Sequence, residues 1–112
     1  MKRFNYAFQG LFVLFSKDSK FLIHSIFAII AIILGLILGI TAIEWLLIII
    51  AIGLVLAFEA MNTAVEFVVD LITKDYHELA KKAKDTAASS VVLASIVALA
   101  IGVIVFLPYL IK

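Results

Sequence analysis

The chain has 112 residues, 66% hydrophobic and only 15% charged, with no cysteine, two histidines and a formal net charge of +1. A water-soluble domain of this size could not hide that much apolar surface, so residence in a membrane follows. The same composition excludes disulfides and thiolate metal sites, leaves too few histidines for a histidine zinc site, and argues against nucleic acid as a partner.

The first sixteen residues differ from the rest. Phe4, Phe8, Leu11 and Phe15 fall on one helical face, with Arg3, Asn5, Gln9 and Ser16 off it. This pattern predicts an amphipathic helix over residues 1–16, lying on the membrane surface or packed on the bundle. It has no small-residue cleavage site and its apolar stretch is too interrupted for a signal peptide.

Three membrane spans follow. No acidic or basic residue other than histidine occurs between Lys20 and Glu44, and residues 21–43 exceed the roughly 20 needed to cross a bilayer. Residues 45–67 form the second span, with Glu59 and Glu66 inside it. Residues 73–85 are expected to be a loop, and residues 89–111 form the third span, where Pro108 lies near the end and is tolerated. The spacing Gly35-x-x-x-Gly39 matches a small-residue helix contact, and Gly53 is read as packing too.

Basic residues set the orientation. Lys2, Arg3, Lys17 and Lys20 precede the first span, and Lys74, Lys81, Lys82 and Lys84 lie between the second and third. Only Lys112 falls on the other side. The positive-inside rule makes the N-terminus cytoplasmic and the C-terminus external. Trp45 and Tyr109 then belong to the outer aromatic belt.

The second span carries the chemistry. Glu59, Asn62, Glu66 and Asp70 sit at helical offsets that place them within about 80° of each other. A carboxylate in a membrane costs about 2.5–3.5 kcal/mol at the centre, so a stripe of three needs a reason. If Glu44 marks the outer boundary, Glu59 lies about 22 Å further along the helix, some 8 Å inside the cytoplasmic edge. Glu66 reaches the headgroup level and Asp70 lies a turn beyond. Such a row could bring a membrane-bound alcohol to a water-soluble cosubstrate.

Further polar residues collect at this level: Asp18 before the first span, and Lys84, Asp85 and Ser89 before the third. Carboxylates with an amide oxygen suit a hard cation such as Mg²⁺, which keeps waters and binds phosphates. A lysine offers a point charge for phosphate. A carboxylate beside apolar residues can serve as a general base. These are the parts of a phosphoryl-transfer site. The competing reading of the stripe is a polar seam joining helices. His24 reads as a satisfied or interfacial histidine rather than a ligand, and His77 and Glu78 as solvated or loop-anchoring residues.

The residues from Glu59 to Asp70, EAMNTAVEFVVD, resemble the signature of the prokaryotic diacylglycerol kinase/undecaprenol kinase family. So do Tyr76–Asp85, YHELAKKAKD, and the N-terminal Tyr6–Leu11, YAFQGL. The resemblance spans essentially the whole chain as one domain, residues 1–112. It implies an all-α integral-membrane lipid kinase using MgATP in the bacterial inner membrane. It further implies a homotrimer of three-span subunits, each with a surface helix, whose active sites are shared between neighbours.

Carried over residue by residue, the resemblance makes Glu59 the base that activates the lipid hydroxyl and Glu66 a metal ligand. Asn62, Asp70, Lys84 and Asp85 complete the site around the nucleotide phosphates, with Arg3 the candidate for an N-terminal nucleotide contact. A glutamate usually precedes the first span as a second metal ligand. Here Asp18 stands in that place, one methylene shorter. The Asn-Thr-Ala form of the motif and Phe21-x-Ile-His24 resemble the undecaprenol kinase branch more than the diacylglycerol kinase branch. A different class, a small proton-coupled transporter, has similar length. It would need an acid near mid-membrane reachable from both sides, whereas these acids grade toward one face.

Overall fold

The computed structural model describes residues 2–112, so the expectation for residue 1 lies outside them. The chain forms four helices: α1 (Lys2–Lys17), α2 (Ser19–Leu38), α3 (Ala42–Ile72) and α4 (Glu78–Leu110). The last three are long and apolar enough to cross a membrane. At 1.5 Å per residue, α3 and α4 run about 46 and 50 Å. Both outreach a hydrocarbon core of about 30 Å, so their polar ends project beyond it.

The joints between helices follow from local chemistry. Asp18 closes α1 by donating its amide to the Leu14 carbonyl. It then caps α2 from extended backbone, its Oδ1 accepting from the amides of Lys20 (3.0 Å) and Phe21 (3.3 Å). The bend is packed by Phe15 edge-on against Phe21, with ring centroids 5.0 Å apart. At the other end of α2, Gly39 sits at φ 66°, the left-handed position that a side chain would strain. Thr41 and Glu44 then start α3 with a reciprocal capping box.

α3 is the central element and packs along α4 and, less extensively, along α2. A buried cluster of Ile40, Ile48, Val105 and Phe106 closes the end away from the acids, joined by the half-buried Trp45 and Tyr109. Gly35 receives the Trp45 indole: a Cβ there would stand 2.8 Å from the ring. Tyr109 donates its hydroxyl to Glu44, tying the C-terminal end of α4 to the N-terminal end of α3. Elsewhere the apolar side chains of the three long helices are largely exposed, as a surface facing lipid must be.

Some sequence expectations are corrected. The connection between the second and third spans is not 73–85 but the five residues 73–77, because Glu78 to Asp85 are already the first turns of α4. His77 caps that helix, accepting the Leu79 amide at Nδ1 (3.1 Å), and an alanine- and lysine-rich run suits a helix better than a loop. Helix α3 extends beyond the expected 45–67 at both ends. Of the glycines read as packing, Gly35 does pack. Gly39 is a helix cap instead, and Gly53 has nothing within 4 Å of where a Cβ would stand. Helix α1 leaves Phe4, Tyr6, Phe8 and Phe12 exposed, so its aromatic surface is available to a bilayer rather than spent on the bundle.

Candidate active site

The innermost acid of α3 lies in the packing rather than in solvent. Glu59, Asn62 and Thr63 are the buried polar side chains among the described residues. Glu59, at 1% exposure, ranks with Val105 as the most buried large side chain. A carboxylate so placed must find partners or substrate. Its Oε2 lies 3.4 Å from the Thr63 hydroxyl and its Oε1 lies 3.6 Å from Nε2 of His24 on α2. Both are long contacts for a hydrogen bond.

The Thr63 hydroxyl has one proton and gives it to Asp18 Oδ2 in a short bond. Asp18 is thereby held by three donors: two helix-start amides on Oδ1 and Thr63 on Oδ2. Thr63 links the metal-ligand candidate Asp18 to the base candidate Glu59 across two helices. The amide of Asn62 adds an orphan. Its Oδ1 is buried without a hydrogen-bond partner among the described residues. A buried carbonyl oxygen with nothing to accept is costly, about 1–3 kcal/mol, and marks a place where a donor or cation is expected.

One helical turn on, Glu66 is half-buried and has no side-chain partner among the described residues. Further toward the end of α3, Asp70 accepts a 2.7 Å ion pair from Lys84 of α4. Asp85 pairs instead with Lys81 on its own helix, at 2.6 Å, on an exposed flank. Arg3 lies exposed on α1 with no ion pair among the described residues. Within one chain, then, Asp18, Glu59 and Asn62 come together around Thr63, and Lys84 reaches Asp70. Asp85 and Arg3 stand apart. No set of three His, Cys, Asp or Glu side chains among the described residues is close enough to hold a metal alone. The donors present are all oxygens, the type a hard cation shared with phosphates would use.

Sequence reasoning passed over Thr63 and gave His24 no part in the site. Thr63 carried one signal, its i+4 spacing from Glu59 on the acid face. Nothing in the sequence could pair His24 with Glu59, because that contact depends on how α2 docks on α3.

Because α2 and α4 barely touch, a groove runs between them with α3 as its floor. Toward the Trp45 end it is apolar, about 610 Å³, walled by Phe27, Leu34, Ile52, Leu99, Phe106 and similar side chains. It continues into a smaller space of about 460 Å³ lined by Lys20, His24, Glu59 and Asn62 together with Val92 and Ser95 of α4. His24, Ser95 and Leu99 belong to both. The groove therefore leads from an apolar trough to the buried carboxylate.

The chain is similar to known proteins over nearly its whole length. The family profile of prokaryotic diacylglycerol kinase matches residues 5–106. The chain is 38% identical to an undecaprenol kinase of Bacillus subtilis, over 97% of this chain and 89% of that one. It is 39% identical to a diacylglycerol kinase of Synechocystis, over 97% of this chain and 63% of that one. It is also 34% identical to a diacylglycerol kinase of Escherichia coli, over 88% and 80% of the two chains. A family match over residues 5–106 and relatives at this identity, on a chain with three apolar helices long enough to cross a membrane, show that it is a membrane lipid kinase belonging to the prokaryotic diacylglycerol kinase family.

Proposed function

We propose that the chain transfers the γ-phosphoryl group of ATP to the terminal hydroxyl of undecaprenol at the cytoplasmic face of the bacterial inner membrane. The observation that carries this reading is the groove that begins apolar between α2 and α4 and ends at Glu59 and Asn62. A lipid alcohol lying there has its tail among Phe27, Leu34 and Phe106 and its hydroxyl beside the carboxylate. Glu59 accepts the hydroxyl proton as the lipid oxygen bonds to the γ-phosphorus. The bond from that phosphorus to the β,γ-bridging oxygen breaks, and ADP leaves with the electron pair.

Asn62 Oδ1 and the carboxylates of Glu66 and Asp18 are the residues that would hold Mg²⁺ with the nucleotide. The fit rests on the orphan oxygen of Asn62 and on an all-oxygen donor set. When bound, Mg²⁺ offsets charge on the phosphoryl oxygens. Asp18 already spends one lone pair on Thr63 and others on the α2 amides, so it retains little capacity and serves as the lesser ligand. Lys84, aligned by Asp70, supplies a positive charge for the phosphates. Asp85 and Arg3, which have no hydrogen bond or ion pair to Glu59 within one chain among the described residues, complete the site from a neighbouring subunit in a homotrimer with shared sites. The N-terminus is cytoplasmic, as eight of the nine basic residues sit on the acid-bearing side.

The preference for undecaprenol rests on the similarity to the Bacillus subtilis undecaprenol kinase. The reading is tested by incubating the purified protein in micelles with labelled ATP and either lipid. Label is expected in both, with the higher kcat/KM for undecaprenol. The reverse order would make the chain a diacylglycerol kinase, and no labelled lipid would refute the kinase reading.

A further inference from the structure

His24 stands where the apolar trough meets the polar end of the groove, and it lines both. Its Nε2 is 3.6 Å from Glu59 Oε1, and about a quarter of its side chain is exposed against 1% for Glu59. The other carboxylate oxygen of Glu59 faces Thr63, whose proton is already committed to Asp18. A base that must aim at one hydroxyl is therefore held from one side only loosely. A closure of about half an ångström would turn the His24 contact into a hydrogen bond of ordinary length.

We infer that His24 is a positioning residue for Glu59, and that the lipid tail sets it. In this role Nε2–H donates to Oε1 and fixes the plane of the carboxylate, leaving its remaining lone pairs toward the lipid hydroxyl. A tail lying in the trough packs against the imidazole from the side of Phe27 and Ala28 and presses it toward Glu59. Filling the trough and aligning the base are thus one event, and an alcohol too short to reach along it leaves Glu59 poorly aimed. The inference rests on the proposed lipid-kinase reading but makes a claim of its own about one contact.

The test compares H24Q with H24L. The glutamine amide nitrogen lies at about the reach of Nε2 and can donate to Glu59; leucine fills similar space and cannot. H24L is expected to lower kcat for undecaprenol about 10- to 100-fold, as loss of alignment does, with KM for MgATP unchanged within about twofold. H24Q is expected to restore most of that kcat. Equal activity of H24Q and H24L, a native kcat in H24L, or a loss appearing mainly in the KM for MgATP would each overturn the inference. If H24L loses helicity, H24N takes its place, since its shorter amide does not reach Glu59, and the same outcomes apply.

A second readout needs no turnover. In ¹⁵N-histidine-labelled protein, Glu59→Gln is expected to move the His24 imidazole signals. Those of His77, bound to the Leu79 amide at the far end of the connection, should stay in place as an internal control. Unmoved His24 signals would refute the contact. If the native protein labels no lipid, the kinase reading fails while this measurement still decides the contact.

Discussion

Thr63→Val is the perturbation that most cleanly interrogates how the site is held. Valine keeps the branched shape of threonine, so packing at a position only 6% exposed is largely preserved. What disappears is the hydroxyl that donates to Asp18 and lies 3.4 Å from Glu59. A hydrogen bond to a charged group contributes about 1.5–3 kcal/mol. Asp18 is only half-buried and keeps its two backbone donors, so the lower half of that range applies, about 1.5–2 kcal/mol. Thr63→Ser should recover most of it.

The assay is reversible unfolding in mixed micelles, run beside lipid phosphorylation by the same preparations. Coupling is checked by a double-mutant cycle with Asp18→Asn, in which the two changes should be non-additive by about 0.5–2 kcal/mol. Activity should fall in Thr63→Val as well, because Asp18, a candidate metal ligand beside Glu59, loses one of its three donors. A Thr63→Val protein as stable and active as the native one, with strict additivity in the cycle, would refute the view that Thr63 holds the α2 cap against α3.

Gly35→Ala should destabilise the fold by about 1–2 kcal/mol, since the new methyl meets the packed Trp45 ring at 2.8 Å and the overpacking cost of about 1–3 kcal/mol exceeds the helix-propensity gain of under about 1 kcal/mol; unfolding in mixed micelles measures it. Lys84→Gln should leave stability within about 1 kcal/mol, because its pair with Asp70 is solvent-exposed, yet raise the KM for MgATP several-fold in a steady-state assay. Glu66→Gln should lower turnover and shift the Mg²⁺ titration of activity to higher concentration, and Asp18→Asn should do so more weakly; an unchanged titration in Glu66→Gln would remove it from the metal site.

The sequence carried the architecture because hydrophobicity and charge are read one residue at a time. Charge-free runs marked the spans, and the spacing of Glu59, Asn62, Glu66 and Asp70 marked the polar stripe. Where two helices must meet, that legibility stopped. Asp18 reads as an acid before a helix, and only the folded chain reveals it as cap and Thr63 acceptor together. Lys84 and Asp70 fall at one level in the sequence pattern, which does not show them as partners, and His24 reads there only as a satisfied or interfacial histidine. The start of α4 was missed because its lysines read as loop charge, although Glu78 and Lys82 at i and i+4 pair as helix neighbours do. The groove itself has no sequence signal, since it exists only because α2 and α4 stand apart on α3.

The central claim is that Glu59 takes the proton from the lipid hydroxyl while other residues hold the nucleotide. Glu59→Gln keeps the size of the side chain and removes the base. In single-turnover transfer of labelled phosphate to undecaprenol, this variant should lose about 10²- to 10⁴-fold in rate. Its MgATP affinity, measured by equilibrium binding on the same preparation, should match that of the native protein. Near-native transfer, or a loss of nucleotide binding as complete as that in Glu66→Gln, would contradict the account and require the roles along α3 to be reassigned.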